Sequence, residues 1–111
     1  MARADAQLRA SRAFLLEQLA DTWHVAVRGE EVTLDARIGI RSAAVHAATI
    51  AAAVADTAFT LAGGTAVYDT SRLGRSLRDA HVVTQHIQTA PKLNETIGKL
   101  LLGVDVDTAM F

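Results

Sequence analysis

Side chains that could do chemistry are concentrated in one stretch, residues 63–89, which begins with a Gly-Gly pair. Helical periodicity predicts a helix here from about Ser71 to Gln88. Polar side chains then fall on two neighbouring stripes: Arg78, His81, Gln85 and Gln88 on one, and Arg75, Asp79 and His86 on the other. An imidazole on such a face suits general acid–base chemistry, which makes His86 a candidate catalytic group. The residues alone leave a purely structural histidine open as the alternative.

The histidines do not predict a metal site. His81 and His86 are five residues apart, which places them about 140° apart around a helix axis. The Glu-x-x-His pairs of di-metal bundles are absent, and the chain has no cysteine to supply a thiolate ligand or a disulfide. A phosphorelay histidine is also disfavoured, because His46 lies in a strongly apolar run without a following Lys-Gly.

Length and charge restrict the classes of function. The 111 residues, half of them hydrophobic, predict a single domain spanning 1–111 with a modest core. The net charge of −1 gives no basic field for nucleic acid or acidic lipid. The charged N-terminal segment lacks a signal-peptide core, and the longest uncharged run, Ser42 to Ala55, is too short to span a bilayer. We therefore expect a cytoplasmic protein with neither a nucleic-acid nor a membrane partner.

The elements that position the polar stretch are predicted to be helices. Few aromatic residues and a single proline argue against a β-sandwich or barrel. Apolar periodicity and end signals predict four helices, at about Ala4–Ala26, Glu30–Ala62, Ser71–Gln88 and Pro91–Leu102. Together they predict an all-α fold, an up-and-down four-helix bundle. The apolar face predicted for the first helix consists of Leu8, Leu15, Leu16, Leu19 and Trp23.

The second predicted helix is unusual because it carries no charge from Ser42 to Ala55. A helix that is apolar on every side is expected to be buried on every side. In a domain this small, such coverage requires a partner subunit, so the sequence predicts a homo-oligomer. Gly39 in the helix interior is tolerated if another backbone passes close by.

Three strings in the polar stretch carry a family resemblance. They are Leu-Ala-Gly-Gly-Thr-Ala-Val-Tyr at 61–68, Leu-Gly-Arg-Ser-Leu-Arg-Asp at 73–79 and Thr-Gln-His at 84–86. With the Ala-rich helix before them, they resemble the C-terminal helical domain of the acyl-CoA dehydrogenase superfamily. The nearest branch is the flavin-dependent monooxygenases that share that fold, of the dibenzothiophene and phenol-type hydroxylase kind. The resemblance covers nearly the whole chain.

The resemblance implies specific roles for residues. In the dehydrogenases the Arg-Asp element leads to a Glu-Gly-Thr turn whose glutamate is a base. Ile87-Gln88-Thr89 stands there in this chain, and isoleucine cannot remove a proton. In the monooxygenases a histidine at the place of His86 assists oxygen activation or deprotonates a phenol beside the flavin. The resemblance further implies FAD or FMN as cofactor, cofactor contacts at Gly63, Gly64 and Thr65, and a buried bracing pair, Arg78 and Asp79.

The resemblance also implies that this domain is incomplete for catalysis alone. Relatives carry an N-terminal helical domain and a middle β-domain that this chain lacks. The expected partners are copies of the chain in a dimer or tetramer, or a larger flavoprotein chain. Two alternatives stay open: a non-catalytic helical-bundle assembly module, and a fragment of a true acyl-CoA dehydrogenase that takes its base from elsewhere.

Overall fold

The computed structural model describes all residues from 1 to 111 and contains four α-helices and no strand. The helices are α1 (Ala2–Val27), α2 (Leu34–Ala62), α3 (Arg72–Gln85) and α4 (Leu93–Leu101). A short 3₁₀ helix, Gly63–Val67, joins α2 to the segment before α3. The predicted all-helical fold with four helices is confirmed.

Helix α2 is the central element, and the other three helices each pack against it rather than against one another. The best-buried apolar cluster lies where the first half of α2 meets α4, at Ile38, Val45 and Ile97. Partly buried hydrophobic side chains surround this cluster: Leu34, Leu93, Leu100 and Phe111. The chain is elongated, measuring 50 × 27 × 23 Å.

The start of α2 differs from the sequence prediction, which placed it at Glu30. Thr33 is the N-cap, and its hydroxyl oxygen accepts a hydrogen bond from the Ala36 amide at 3.2 Å. Glu30 is instead held outside the helix by Arg28, whose Nε and Nη2 donate to the two carboxylate oxygens at 2.7 and 3.0 Å. Glu30 and Glu31 therefore both precede the helix, which begins at Leu34.

The complete burial predicted for α2 is not reached within this single chain, and its coverage by a partner subunit stays a prediction. Five of its 29 residues are buried: Ile38, Ala43, Val45, Ala48 and Ala52. One stripe stays exposed along the helix: His46, Thr49, Ala53, Asp56 and Thr60. The physical reason is that α1 and α3 cover only part of the circumference of α2, and a third face of small and polar side chains remains open.

The apolar face predicted for α1 also differs from the face that packs. Small residues, Ala4 and Ser11, are buried against α2. They fit because α2 presents an alanine-rich surface that allows two helices to approach closely. The large residues Leu8, Leu16, Leu19 and Trp23 lie on another face and are exposed. Helix α1 thus has an apolar stripe that this chain does not cover.

By length and composition alone, the continuous helical segment Leu34–Val67 is apolar enough to cross a membrane, with a mean hydropathy of 1.5 over its best window. The core helix of a helical domain passes the same test. Here the segment is flanked by α1 on one side and α3 on another. Within this chain 28% of that window is buried, because α1 and α3 cover α2 on two sides and leave a third side open.

Gly39 in α2 faces a side chain and not the backbone that we expected. The amide group of Gln18 from α1 occupies the position where a Cβ of residue 39 would point. The glycine therefore makes room for the tip of a flexible side chain.

The segment after α4 returns to α2, where Phe111 packs against the core.

Candidate functional site

His86 is the first residue after α3, and it lies on a turn rather than on the helix face that the spacing predicted. Its backbone is extended (φ −70°, ψ 136°), while its N–H still donates to the Val83 carbonyl at 3.2 Å. The Thr89 N–H donates to the His86 carbonyl at 2.9 Å, and the Thr89 hydroxyl donates to the Val83 carbonyl at 2.5 Å. These bonds close a compact turn over residues 86–89, so the predicted polar stripes end at Gln85.

The turn is anchored to the central helix by Arg41. Its Nη1 donates to the backbone oxygen of Gln88 at 3.0 Å, and its Nη2 donates to the backbone oxygen of Met110 at 2.7 Å. The same guanidinium lies over the Phe111 ring, 5.7 Å from the ring centre. One α2 side chain therefore ties together the turn that carries His86 and the segment that ends at Phe111.

The imidazole of His86 has one nitrogen engaged inside the turn. The Gln88 N–H donates to Nδ1 at 3.2 Å. Because Nδ1 is an acceptor there, the neutral ring carries its proton on Nε2. The exposed nitrogen is then a hydrogen-bond donor.

An open, mainly apolar depression lies beside the ring. It has a volume of about 450 Å³ and is lined by Val82, Val83, Gln85, His86 and Thr89. Val82 and the neighbouring Ile87 are exposed, although both are large apolar side chains. Every lining residue comes from the end of α3 and its turn. Within this chain the depression is open on its other sides, and its lining offers mainly apolar surface.

Gly63, Gly64 and Thr65 lie in the 3₁₀ turn after α2 and are exposed. Gly63 adopts φ +63°, which favours glycine, and its N–H donates to the Thr60 carbonyl as α2 ends. The Thr65 hydroxyl donates to the Ala62 carbonyl at 2.9 Å. The turn is next to the start of α3, whereas His86 follows its end, and 14 helical residues span about 20 Å. The chain does not bring the predicted cofactor residues together with His86.

A second cavity, of about 410 Å³, lies between the 3₁₀ turn and the first half of α3. Its polar lining includes Tyr68, Asp69 and three arginines, Arg72, Arg75 and Arg78. The sequence analysis placed Arg75 and Arg78 on polar stripes but did not identify a site here. A signal was present, because arginines in the first turns of a helix oppose the helix dipole.

The predicted buried pair of Arg78 and Asp79 is wrong in this chain. Both residues are exposed, and no ion pair joins them. Adjacent residues on a helix point about 100° apart, so only one of them can face the cavity. The polar side-chain contact between α2 and α3 is instead a hydrogen bond between His81 Nε2 and Asp56 Oδ1 at 3.0 Å. No group of three or more His, Cys, Asp or Glu side chains is arranged to hold a metal ion.

Residues 1–91 match the family described as "Acyl-CoA dehydrogenase, C-terminal domain". This chain belongs to that family. The resemblance drawn from residues 61–86 is thereby confirmed.

Two similar proteins of known activity are monooxygenases. Indole-3-acetate monooxygenase of Pseudomonas putida is 37% identical over 103 residues, which is 93% of this chain and 26% of that protein. The Acinetobacter baumannii enzyme of the same name is 34% identical over 85 residues, covering 77% of this chain and 22% of its own length. This chain thus spans about a quarter of the relatives that it matches.

Two solved structures share the fold over nearly the whole chain. The 3-HSA hydroxylase from Rhodococcus sp. RHA1 superposes with a TM-score of 0.89 at 29% identity, covering 99% of this chain and 29% of that one. The HsaA monooxygenase from M. tuberculosis superposes with a TM-score of 0.84 at 26% identity, covering 94% and 28%. The helix arrangement is therefore that of the C-terminal part of these monooxygenases.

Proposed function

We propose that this chain forms the C-terminal wall of the active site in a flavin-dependent monooxygenase that oxidises an aromatic substrate. The observation that carries the proposal is the 37% identity with indole-3-acetate monooxygenase over 103 residues. Catalysis requires the further domains that such relatives possess, because the chain matches about a quarter of their length. The cofactor in this proposal is FAD or FMN.

The residues present fit one face of a flavin. The depression beside His86 offers Val82 and Val83 to a flat apolar ring, and the imidazole offers a hydrogen-bond donor at its edge. When bound, a reduced flavin supplies the electrons that activate molecular oxygen. The part of this chain is to exclude water from one side of the ring and to hold a proton at Nε2 of His86.

The geometry of His86 favours one of its two proposed roles. A base that deprotonates a phenol needs a free lone pair, but Nδ1 accepts from Gln88 and Nε2 carries the proton in the neutral ring. To act as a base through Nε2, the ring must change tautomer and lose the bond from Gln88. Hydrogen-bond donation, which assists oxygen activation, needs no such change. Ile87 stands at the dehydrogenase base position and cannot remove a proton, so an acyl-CoA dehydrogenase fragment would have to take its base from elsewhere.

An oligomer is also part of this proposal, and the observation that supports it is an apolar surface on α1. Its exposed apolar stripe runs the length of the helix through Leu8, Leu16, Leu19, Trp23 and Val27. A stripe of this kind marks an interaction surface. We propose that this stripe packs against a second copy of the chain or against a larger flavoprotein chain. An assembly module without chemistry would need the same stripe, so only tests on His86 separate the two functions.

A domain exchange tests the proposed function. This chain replaces the matching C-terminal part of the P. putida indole-3-acetate monooxygenase, and oxygenated product is measured with reduced flavin supplied. We expect turnover, with a loss of at least about 100-fold in kcat on His86→Ala. His24→Ala, which alters an exposed histidine on α1, is the matched control and should leave turnover unchanged.

Circular dichroism and flavin binding verify that each chimera is folded and loaded before rates are compared. A folded, flavin-binding chimera whose His86→Ala variant turns over as fast as its parent would contradict the catalytic assignment. It would instead favour the assembly module.

A further inference from the structure

We propose that Phe111 is a positioning residue for His86 and that it acts through Arg41. A series of contacts leads from the Phe111 ring to the Arg41 guanidinium, from there to Gln88, and from Gln88 to the imidazole. These contacts belong to the fold, and only their importance for catalysis rests on the proposed function.

The turn of residues 86–89 is tied to the rest of the chain by one hydrogen bond. Its other hydrogen bonds stay within residues 83–89. The exception is the bond that Arg41 Nη1 donates to the Gln88 carbonyl at 3.0 Å. Gln88 is thus engaged on both sides, because its N–H donates to Nδ1 of His86 at 3.2 Å. A movement of the Arg41 guanidinium is therefore passed to the imidazole through a single residue.

No acidic side chain holds the Arg41 guanidinium, since the ion pairs of the chain lie elsewhere. Its orientation comes from the segment of residues 104–111. Nη2 donates to the Met110 backbone oxygen at 2.7 Å, and the central carbon of the group lies over the Phe111 ring, 5.7 Å from the ring centre. Because a guanidinium is planar and rigid, these two contacts also determine the direction of Nη1. The docked segment thereby points Nη1 at the Gln88 oxygen.

Phe111 is the anchor of the segment of residues 104–111, which contains neither helix nor strand. The Phe111 side chain packs against the apolar cluster between α2 and α4, and its carbonyl oxygen accepts from Arg37 Nη1 at 3.2 Å. The neighbouring Met110 side chain is 44% exposed, so this residue serves Arg41 through its backbone oxygen. The side chain that holds the segment on α2 is thus also the ring beneath the guanidinium.

Loss of the Phe111 ring should release the imidazole from its single tautomer. An arginine side chain that nothing holds samples many rotamers, so the bond from Arg41 to Gln88 becomes intermittent. The Gln88 N–H then no longer stays on Nδ1 of His86, and the proton of the neutral ring distributes over both nitrogens. The nitrogen that faces the depression beside His86 would change from a constant donor to a mixture of donor and acceptor.

Ring ¹⁵N shifts of His86 in the 111-residue chain test the proposal, at a pH where the imidazole is neutral. These shifts report the folded molecules directly, so a variant that is merely less stable but still folded leaves them unchanged. In Phe111→Ala we expect the ratio of Nδ1-protonated to Nε2-protonated rings to rise about fivefold, which corresponds to the loss of one hydrogen bond. Circular dichroism verifies that each variant is folded.

Matched variants separate the aromatic ring from its packing. Phe111→Leu keeps an apolar side chain without a ring and should raise the ratio as Phe111→Ala does, also if the alanine variant does not fold. Phe111→Tyr keeps the ring and should retain the parent ratio. Met110→Ala removes a half-exposed side chain but keeps the backbone oxygen, so it should change nothing. A parent ratio in Phe111→Leu, or an equal rise in Met110→Ala, would overturn the proposal.

A double variant tests the route through Arg41. If Phe111 acts through that guanidinium, Phe111→Leu should add no further change in the Arg41→Met background. A second rise of the same size would show another route and overturn the proposal. The spectra require neither flavin nor turnover, so they do not decide the proposed oxygenase function, which the chimera tests separately.

Discussion

The backbone N–H of Gln88 lies 3.2 Å from Nδ1 of His86 and donates a hydrogen bond to it. Two residues of the same turn thus determine which nitrogen of the imidazole is left to face a ligand. The consequence is that His86 presents Nε2–H, a donor, next to an open apolar depression.

The tautomer is directly measurable. In the neutral chain, ¹⁵N chemical shifts of the His86 ring should show the proton on Nε2, because the Gln88 N–H occupies the Nδ1 lone pair. His24 is exposed on α1 and serves as the comparison within the same spectrum. Protonation of His86 at Nδ1 in the neutral ring would contradict this geometry and return the base role to consideration.

Arg41 is expected to position the turn. Arg41→Met removes the donors to the Gln88 and Met110 oxygens but keeps an unbranched apolar stem. We expect it to lower the free energy of unfolding by about 1–3 kcal/mol and to shift the amide signals of residues 86–89. Urea unfolding and amide spectra provide the measurements.

Arg9→Met is the control for Arg41, because the ion pair of Arg9 with Asp5 is an exposed i, i+4 contact worth about 0.5 kcal/mol or less. If Arg41→Met and Arg9→Met destabilise the chain equally and the turn signals do not move, Arg41 does not position His86.

Glycine substitutions should separate backbone from packing effects. Gly98→Ala in α4 meets no atom within 4 Å and should stabilise the chain by about 0.5–1 kcal/mol through helix propensity. Gly39→Ala should gain less, since the Gln18 amide must move. Gly63→Ala should destabilise, because its φ of +63° is strained for alanine. Thermal unfolding of the three variants gives the order of their stabilities. A Gly63→Ala variant that is not the least stable of the three would mean that the end of α2 can leave the conformation with φ +63°.

The Arg28–Glu30 contact predicts a pH effect. The hydrogen bond from Arg28 holds the pKa of the Glu30 carboxyl below its ordinary value. A carboxyl with a lowered folded-state pKa contributes stability above its unfolded pKa and loses it as pH falls through the folded value. Carbon-13 titration should therefore show the Glu30 pKa rising towards the ordinary value in Arg28→Gln. An unchanged value would mean that the contact is absent in solution.

The sequence was sufficient to predict those elements that depend on short stretches of neighbouring residues. The helical periodicity, the Gly63 stop and the family strings at 61–86 were enough to predict the fold and the family. The start of α2 was missed because the acidic residues Glu30 and Glu31 suit a helix N-terminus. In the structure Thr33 forms the cap, and Arg28 holds Glu30 outside the helix.

The sites required three-dimensional information. His86 was predicted on a helix face because periodicity does not indicate where a last turn unwinds, and bonds from Thr89 and the distant Arg41 determine that end. The arginine cavity was missed for a related reason. It forms only when the turn after α2 folds over the start of α3, although the unfavourable charges of Arg72 and Arg75 could have indicated it.

The most direct test of the central claim compares His86→Gln with His86→Ala in the chimeric monooxygenase. A glutamine amide can donate a hydrogen bond but cannot act as a base at neutral pH. If His86 acts as a donor beside the flavin, the glutamine variant should recover at least about tenfold in kcat over the alanine variant. A glutamine variant as slow as the alanine variant, with flavin still bound, would contradict the account.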